Sequence, residues 1–170
     1  MTALATSGSG HSSRYWDCGK PSCAWSGKAS VSAAVRTCDK NDNPLSDPNT
    51  KSGCDGGTAF ACTNNSPWAV NDNLAYGFAA TAINSGTESS WCCACSVPPT
   101  RGDLMVPGGG VGIFDGCTPE FGGVPGDRYG GVASRDQCGQ MPAKRQAGCF
   151  WRFDWFLNAD NPDFDFQLVK

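Results

Sequence analysis

Asp17 sits in the most constrained chemical setting of this sequence. The decapeptide Arg14-Tyr15-Trp16-Asp17-Cys18-Gly19-Lys20-Pro21-Ser22-Cys23 puts its carboxylate beside two aromatic rings and pins it with cysteines and a proline turn. A rigid acid among stacking surfaces suits the breaking of sugar bonds. There, two carboxyl groups flank the scissile bond, one donating a proton and one activating water or attacking. The chain has fourteen aspartates and two glutamates, so a second carboxyl group is expected to be aspartate. Asp103 lies just before the run Pro107-Gly108-Gly109-Gly110-Val111-Gly112, and Asp115 follows it in Ile113-Phe114-Asp115-Gly116-Cys117. Aspartates at such places also cap turns, so local spacing leaves the pairing open.

Aromatic rings bind the apolar faces of pyranose sugars and also build cores. Trp68, Trp91, Trp151 and Trp155 read as core. Tyr15, Trp16, Trp25 and Tyr129 lie in polar or glycine-rich stretches and read as walls of a site. The cluster Cys92-Cys93-Ala94-Cys95 lacks the paired spacings and histidines of a zinc site. The single histidine, His11, reads as surface, which gives no base for a Ser-His-Asp or Cys-His mechanism. The glycine run lacks the Gly-Lys-Ser/Thr ending of a phosphate loop. No metal or organic cofactor is expected.

These residues need a scaffold, and composition bounds it. A length of 170 residues suits one domain. Charged residues make up 17% and the net charge is -3, unlike the basic balance of nucleic-acid binders. No apolar run is long enough to span a membrane. The 22 glycines and 11 prolines are dispersed, which points to a loop-rich, β-dominated domain. Eleven cysteines read as a disulfide framework formed in an oxidising, extracellular setting, although the first residues lack the pattern of a signal peptide.

Along the chain, residues 1–12 read as a flexible leader and residues 13–170 as one domain. Val31, Ala33 and Val35 alternate as in a half-buried strand. Residues 41–53 read as a polar, turn-rich loop. Ser66-Pro67 reads as a helix start, with Val70, Leu74 and Phe78 at helical spacing over 68–80. Residues 91–95 read as a buried strand. The glycine run needs unusual backbone conformations. Ser134 and Gln137 stand at capping-box spacing for a short helix over 134–140. A second helix over 142–147 is expected to stop at Gly148. Trp151, Phe153 and Trp155 alternate as a strand over 150–156, and Phe164, Phe166 and Leu168 repeat that pattern.

Together these segments resemble glycoside hydrolase family 45, the small fungal endoglucanases, related to expansin and barwin-like barrels. The resemblance rests on Tyr15-Trp16-Asp17-Cys18, Lys20-Pro21-Ser22-Cys23, Ser66-Pro67-Trp68-Ala69-Val70-Asn71-Asp72, Gly77-Phe78-Ala79-Ala80-Thr81, Trp91-Cys92-Cys93-Ala94-Cys95, the glycine run through Cys117, Arg128-Tyr129-Gly130-Gly131 and Cys149-Phe150-Trp151-Arg152-Phe153-Asp154-Trp155-Phe156. It covers about residues 12–170. It implies a six-stranded double-psi β-barrel with short helices and long disulfide-tied loops, and hydrolysis of internal β-1,4-glucosidic bonds with inversion. It implies that Asp17 is the general base and Asp103 the general acid. Tyr15, Lys20, Trp25, Tyr129 and Asp115 would line a groove for cellulose or a related β-glucan, on a secreted monomer.

The sequence departs from the family in three places. The stretch from Cys95 to Asp103 is short, where the family carries a further strand pair and a mobile acidic loop. Gly19 stands where the family has cysteine, which should orphan Cys54. Lys170 precedes the family's last cysteines, the partners for Cys93 and Cys95. The resemblance then implies the bridges Cys18–Cys117, Cys23–Cys92, Cys38–Cys62 and Cys138–Cys149. The alternative is a non-hydrolytic, expansin-like wall-binding protein on the same barrel; retention of both aspartates favours the enzyme, and loss of the acidic loop before Asp103 favours reduced or absent turnover.

Overall fold

The computed structural model describes residues 7–82, 86–93 and 101–167. Its elements run β1 (Ser7–Tyr15), β2 (Thr37–Cys38), β3 (Phe60–Ala61), β4 (Trp68–Asn71), β5 (Leu74–Tyr76), β6 (Ala79–Ala82), α1 (Glu88–Trp91), β7 (Arg101–Met105), α2 (Cys117–Phe121), α3 (Ala143–Asp154) and β8 (Asp163–Gln167), with short 3-10 turns between. The fold is mainly β, as its composition suggested.

The principal sheet has the order β6-β7-β1-β8. β1 changes partner half-way along its length. Ser7 to His11 pair antiparallel with β8, and His11 to Tyr15 pair parallel with β7. One strand shared between two partners in this way joins the chain's beginning, middle and end. β2–β3 and β4–β5 are separate two-stranded antiparallel ribbons.

Two apolar clusters share Val124. One holds Trp16, Cys18, Ala61, Met105 and Cys117, and the other Val132, Cys138, Met141 and Cys149. Both contain bridged cysteines. All four expected disulfides form: Cys18–Cys117, Cys23–Cys92, Cys38–Cys62 and Cys138–Cys149. Cys54 and Cys93 are unbridged; Cys95 lies outside the described residues.

Several local expectations are corrected. Residues 7–12 are not leader but most of β1; sheet pairing overrides their small, polar composition. Residues 1–6 lie outside the described residues. Residues 31–35 form no strand, with a bend at 32–33 and Val31 exposed; Thr37–Cys38 pair as a strand instead. The expected helix over 68–80 is instead β4, β5 and β6. Its apolar residues also fit a two-residue period, and Asn71 Oδ1 accepts the Asn73 N–H at 2.9 Å, closing a turn the helix reading ignored. Glu88–Trp91 is a helical turn rather than part of a buried strand; residues 94–95 lie outside the described residues.

Residues 142–156 hold one helix rather than a helix and a strand. α3 runs through Gly148 and buries Arg145, Gly148, Cys149 and Arg152, an i, i+3, i+4, i+7 face that outweighs the alternation of Trp151, Phe153 and Trp155. Gly148 is not a stop but a contact point: a Cβ there would stand 2.5 Å from Pro107 Cγ. Other expectations hold. Gln137 Oε1 accepts the Ala133 N–H at 2.6 Å and Ser134 N–H at 3.4 Å, as a capping-box residue does. Asp163–Gln167 forms the last strand.

Candidate active site

Asp17 lies two residues beyond the end of β1, and Ser13, Tyr15 and Asp17 stand at alternate positions along the chain. Asp103 lies on β7 as the register partner of Ser13, and the Ser13 hydroxyl donates to its Oδ1. The parallel pairing therefore sets Asp103 on the strand beside β1, and the charges of Asp17 and Asp103 both reach the phenol of Tyr15. Burial first, then the charges of Asp17 and Asp103, push the Tyr15 hydroxyl well above its ordinary range, so it stays protonated as a donor.

The backbone around Asp17 is fixed from three sides. Trp16 N–H donates to Gly110 O at 2.8 Å, and Gly116 N–H donates to Asp17 O at 2.7 Å. Cys18 takes a left-handed conformation (φ 58°) and is bridged to Cys117. The glycine run makes this approach possible. A Cβ at Gly109 would stand 2.9 Å from the Tyr15 nitrogen, and Gly110 has a φ of 95°. Arg152, buried on α3, holds the run by donating to Gly108 O at 2.5 Å.

Burial pushes the Asp17 carboxyl up, with Asp115 adding to the rise. The Gly19 N–H, which donates to Asp17 Oδ1 at 2.8 Å, pulls it back. A raised value strengthens a carboxylate as a proton acceptor.

The remaining candidates divide between two hollows. Lys20 is buried, its ammonium donating to Pro48 O and to Thr50 O at 2.9 Å and lying 3.3 Å from the Trp25 ring centroid. It positions Trp25 and the 48–50 loop rather than opening onto solvent. Trp25, Val31 and Pro48 line a hollow of about 210 Å³ beside the Cys23–Cys92 bridge. Asp115 lines the other, of about 100 Å³, with Gly110, Val111, Thr118, Pro125 and Arg128. Its carboxylate accepts the Thr118 N–H at 3.0 Å and hydroxyl at 2.7 Å at the start of α2. Tyr129 is 68% exposed, beside Arg128, which donates to Gly112 O at 2.6 Å and Ile113 O at 3.2 Å.

Two aromatic assignments reverse. Trp16, expected in a wall, is fully buried against Arg145, whose guanidinium lies 4.9 Å from its ring; Trp68, expected in the core, is exposed. Ser13 went unnoticed in the sequence because only sheet register reveals its partner. The described clusters with metal-ligand geometry, Cys23/Glu88/Cys92 and Cys38/Asp42/Cys62, have both sulfurs in disulfides and so offer no thiolate.

Gly19 lies against Cys54: a Cβ at position 19 would stand 2.6 Å from Cys54 Sγ and 3.2 Å from Asp17 Oδ1. Burial, and next the Asp17 charge, push the Cys54 thiol up.

The model of glycosyl hydrolase family 45 matches residues 9–99 and 96–170. A Fusarium oxysporum protein assigned as an endoglucanase type K is 58% identical over 196 positions, covering all of this chain and 52% of its own length. An endoglucanase from Cryptopygus antarcticus is 45% identical over 97% of this chain and 85% of that protein. One from Phaedon cochleariae is 38% identical, over 96% and 80%. The chain thus spans about half of the Fusarium relative and most of the other two. The crystal structure of the cellulase from the Antarctic springtail Cryptopygus antarcticus superposes with a TM-score of 0.91 at 46% identity, covering 97% of this chain and 92% of that one. The Fusarium alignment has 196 positions against 170 residues, so at least 26 of them have no counterpart here. The two family matches meet at residues 96–99, within the stretch that reads as short.

Proposed function

The chain belongs to glycosyl hydrolase family 45, and from that premise we infer that it hydrolyses internal β-1,4-glucosidic bonds of cellulose and related β-glucans with inversion at the anomeric carbon. Its fold is that of a family 45 cellulase. The relatives found are endoglucanases, which does not favour the expansin-like alternative.

Asp17 acts as general base and Asp103 as general acid. The observation that supports this is the β1–β7 register, which sets Asp103 beside Ser13, while the charges of both aspartates reach the Tyr15 hydroxyl. Asp17 in its ionised form takes a proton from water, which attacks the anomeric carbon. Asp103 in its protonated form gives a proton to the leaving oxygen. Inversion by this route calls for carboxyl groups about 6.5–9.5 Å apart, with water between the sugar and the base. The raised value of Asp17 suits its task, because a stronger base transfers the proton more readily.

Trp25, held by Lys20, and the exposed Tyr129 supply stacking surfaces along the glucan, with Asp115 between the glycine run and α2. The protein acts outside the cell as a monomer on polysaccharide. The four disulfides among the described residues support that setting, and among those residues no helix is long and apolar enough to cross a membrane. Nothing in the sequence calls for a metal or cofactor.

The test is release of reducing ends from carboxymethylcellulose or barley β-glucan, with the fresh anomer followed by NMR. Asp17→Asn and Asp103→Asn are each expected to lower the rate by about 10²-fold or more, with α-anomer appearing first in the parent protein. Unchanged turnover in either variant removes that residue from the mechanism.

A further inference from the structure

The segment 115–118 is tied to the turn of Asp17 at several points. Gly116 N–H donates to Asp17 O at 2.7 Å, and Cys117 is bridged to Cys18. A Cβ at Gly116 would stand 2.9 Å from Asp17 O and 3.0 Å from the Gly19 nitrogen, whose N–H binds Asp17 Oδ1. Asp115 directly precedes Gly116, and its carboxylate is held in place. Oδ1 accepts the Thr118 N–H at 3.0 Å and Oδ2 accepts the Thr118 hydroxyl at 2.7 Å. Both oxygens are thus engaged at the start of α2.

The surroundings mark Asp115 as a charge more than as a ligand. The hollow it lines, about 100 Å³, is smaller than the roughly 300–1,000 Å³ of ordinary ligand sites. Of the charged groups lining the same hollow, Arg128 donates to Gly112 O and Ile113 O, and Asp127 is exposed. Around Asp17 stand two further titratable groups, Tyr15 on β1 and Cys54 on the 53–55 turn. Burial, and next the Asp17 charge, push both up, so both are uncharged at and below neutral pH. Asp103 acts on Tyr15. Burial raises Asp17 most, and the charge that adds to the rise is that of Asp115.

We propose that Asp115 is a positioning residue for the base: clamped by Thr118 and tied to the Asp17 turn through Gly116 and Cys117, it keeps a fixed negative charge near Asp17 and sets the lower pH limit of turnover. This rests on Asp17 being the base of the hydrolysis proposed above. A carboxyl group near a second carboxylate ionises at higher pH, and as a stronger base it then accepts the proton of water more readily. Asp115 touches no reacting atom in this role.

The test is Asp115→Asn in the full chain. Asparagine keeps the clamp, because its carbonyl accepts the Thr118 N–H and its amide donates to the Thr118 hydroxyl, and it removes the charge. The Asp17 carboxyl is followed by carbon-13 NMR, with its signal assigned from Asp17→Asn, and kcat/KM on barley β-glucan is followed against pH. The Asp17 titration and the acid limb of kcat/KM are both expected to move to lower pH. The plateau kcat is expected to fall by less than the about 10²-fold loss set for Asp17→Asn. An unmoved Asp17 titration overturns the proposal. So does a lower Tm or kcat with the acid limb in place, which a purely structural part would give. If the titration moves and the acid limb does not, the tie between the two carboxylates stands and Asp17 is not the base. If the variant does not stay folded, salt decides in the parent chain. Screening shortens from about 30 Å at 0.01 M to about 3 Å at 1 M, which should lower the Asp17 titration; no movement overturns the proposal.

Discussion

Asp17 is held by contacts that sequence spacing only hints at: its own turn, the Gly116 N–H and the Cys18–Cys117 bridge. Gly19 has a double part, donating to the carboxylate and leaving room beside Cys54. Gly19→Cys is expected to bridge to Cys54, because the new Cβ would already stand 2.6 Å from the sulfur. The gain is about 2–4 kcal/mol, read as a rise in Tm under oxidising conditions. Failure of the Cys54 thiol to disappear on titration of the oxidised variant would count against this placement. At the same scale, Ser13→Ala removes the hydroxyl that donates to Asp103. It is expected to lower turnover while lowering the unfolding free energy by no more than about 1 kcal/mol; an unchanged kcat would show that this contact does not orient the acid.

Among the elements, α3 illustrates how packing overrides local pattern. Its buried face binds the glycine run through Arg152 and the Pro107 turn through Gly148. Gly148→Ala would raise helix propensity by about 1 kcal/mol, yet the added carbon would meet Pro107 at 2.5 Å and Ser66 Cβ at 2.9 Å. Overpacking costs about 1–3 kcal/mol, so the net expectation is a lower unfolding midpoint in denaturant. A gain in stability would mean that the 107–110 turn yields easily, and then turnover should change with it. β4–β5 is the opposite case, an element with a clear hairpin turn and little packed against it.

Across the whole molecule, stability should fall as pH rises towards neutrality. Glu120 and Arg145 are paired and almost completely buried beneath Trp16. Burial opposes both charges, and Glu120 Oε2 and Arg145 Nε have no hydrogen-bond partner among the described residues. The Glu120 carboxyl is pushed up to about 7 by burial despite Arg145. Its folded value lies above its ordinary 4.5, so its stabilising contribution is full below that value and is lost as pH rises to about 7. Asp17, also raised by burial, acts in the same direction. The slope contributed by Glu120 is at most about 1.4 kcal/mol per pH unit. Glu120→Gln is expected to flatten the dependence of unfolding free energy on pH between 4.5 and 7; an unaltered slope would place the titration elsewhere.

The residue types by themselves determined the mainly β class and the polar 41–53 loop, because dispersed glycines and turn residues are local and chemically specific; the disulfide pairing came from the resemblance to family 45, and the roles of Asp17 and Asp103 are proposals that rest on it. Several elements were misread where one stretch fits two periods. Residues 68–80 satisfy both helix and strand spacing, and residues 150–156 satisfy strand spacing while belonging to a helix whose buried face starts at Arg145. Small, polar residues 7–12 gave no sign of a central strand, since their stability comes from backbone pairing with β7 and β8. Only the tertiary structure decided that Ser13 faces Asp103, that Trp16 is core, that Lys20 serves Trp25 and that Trp68 and Tyr76 stand uncovered. Each of these depends on which distant segment arrives at a given surface. Sheet register and burial set that; the side chain's own preferences do not.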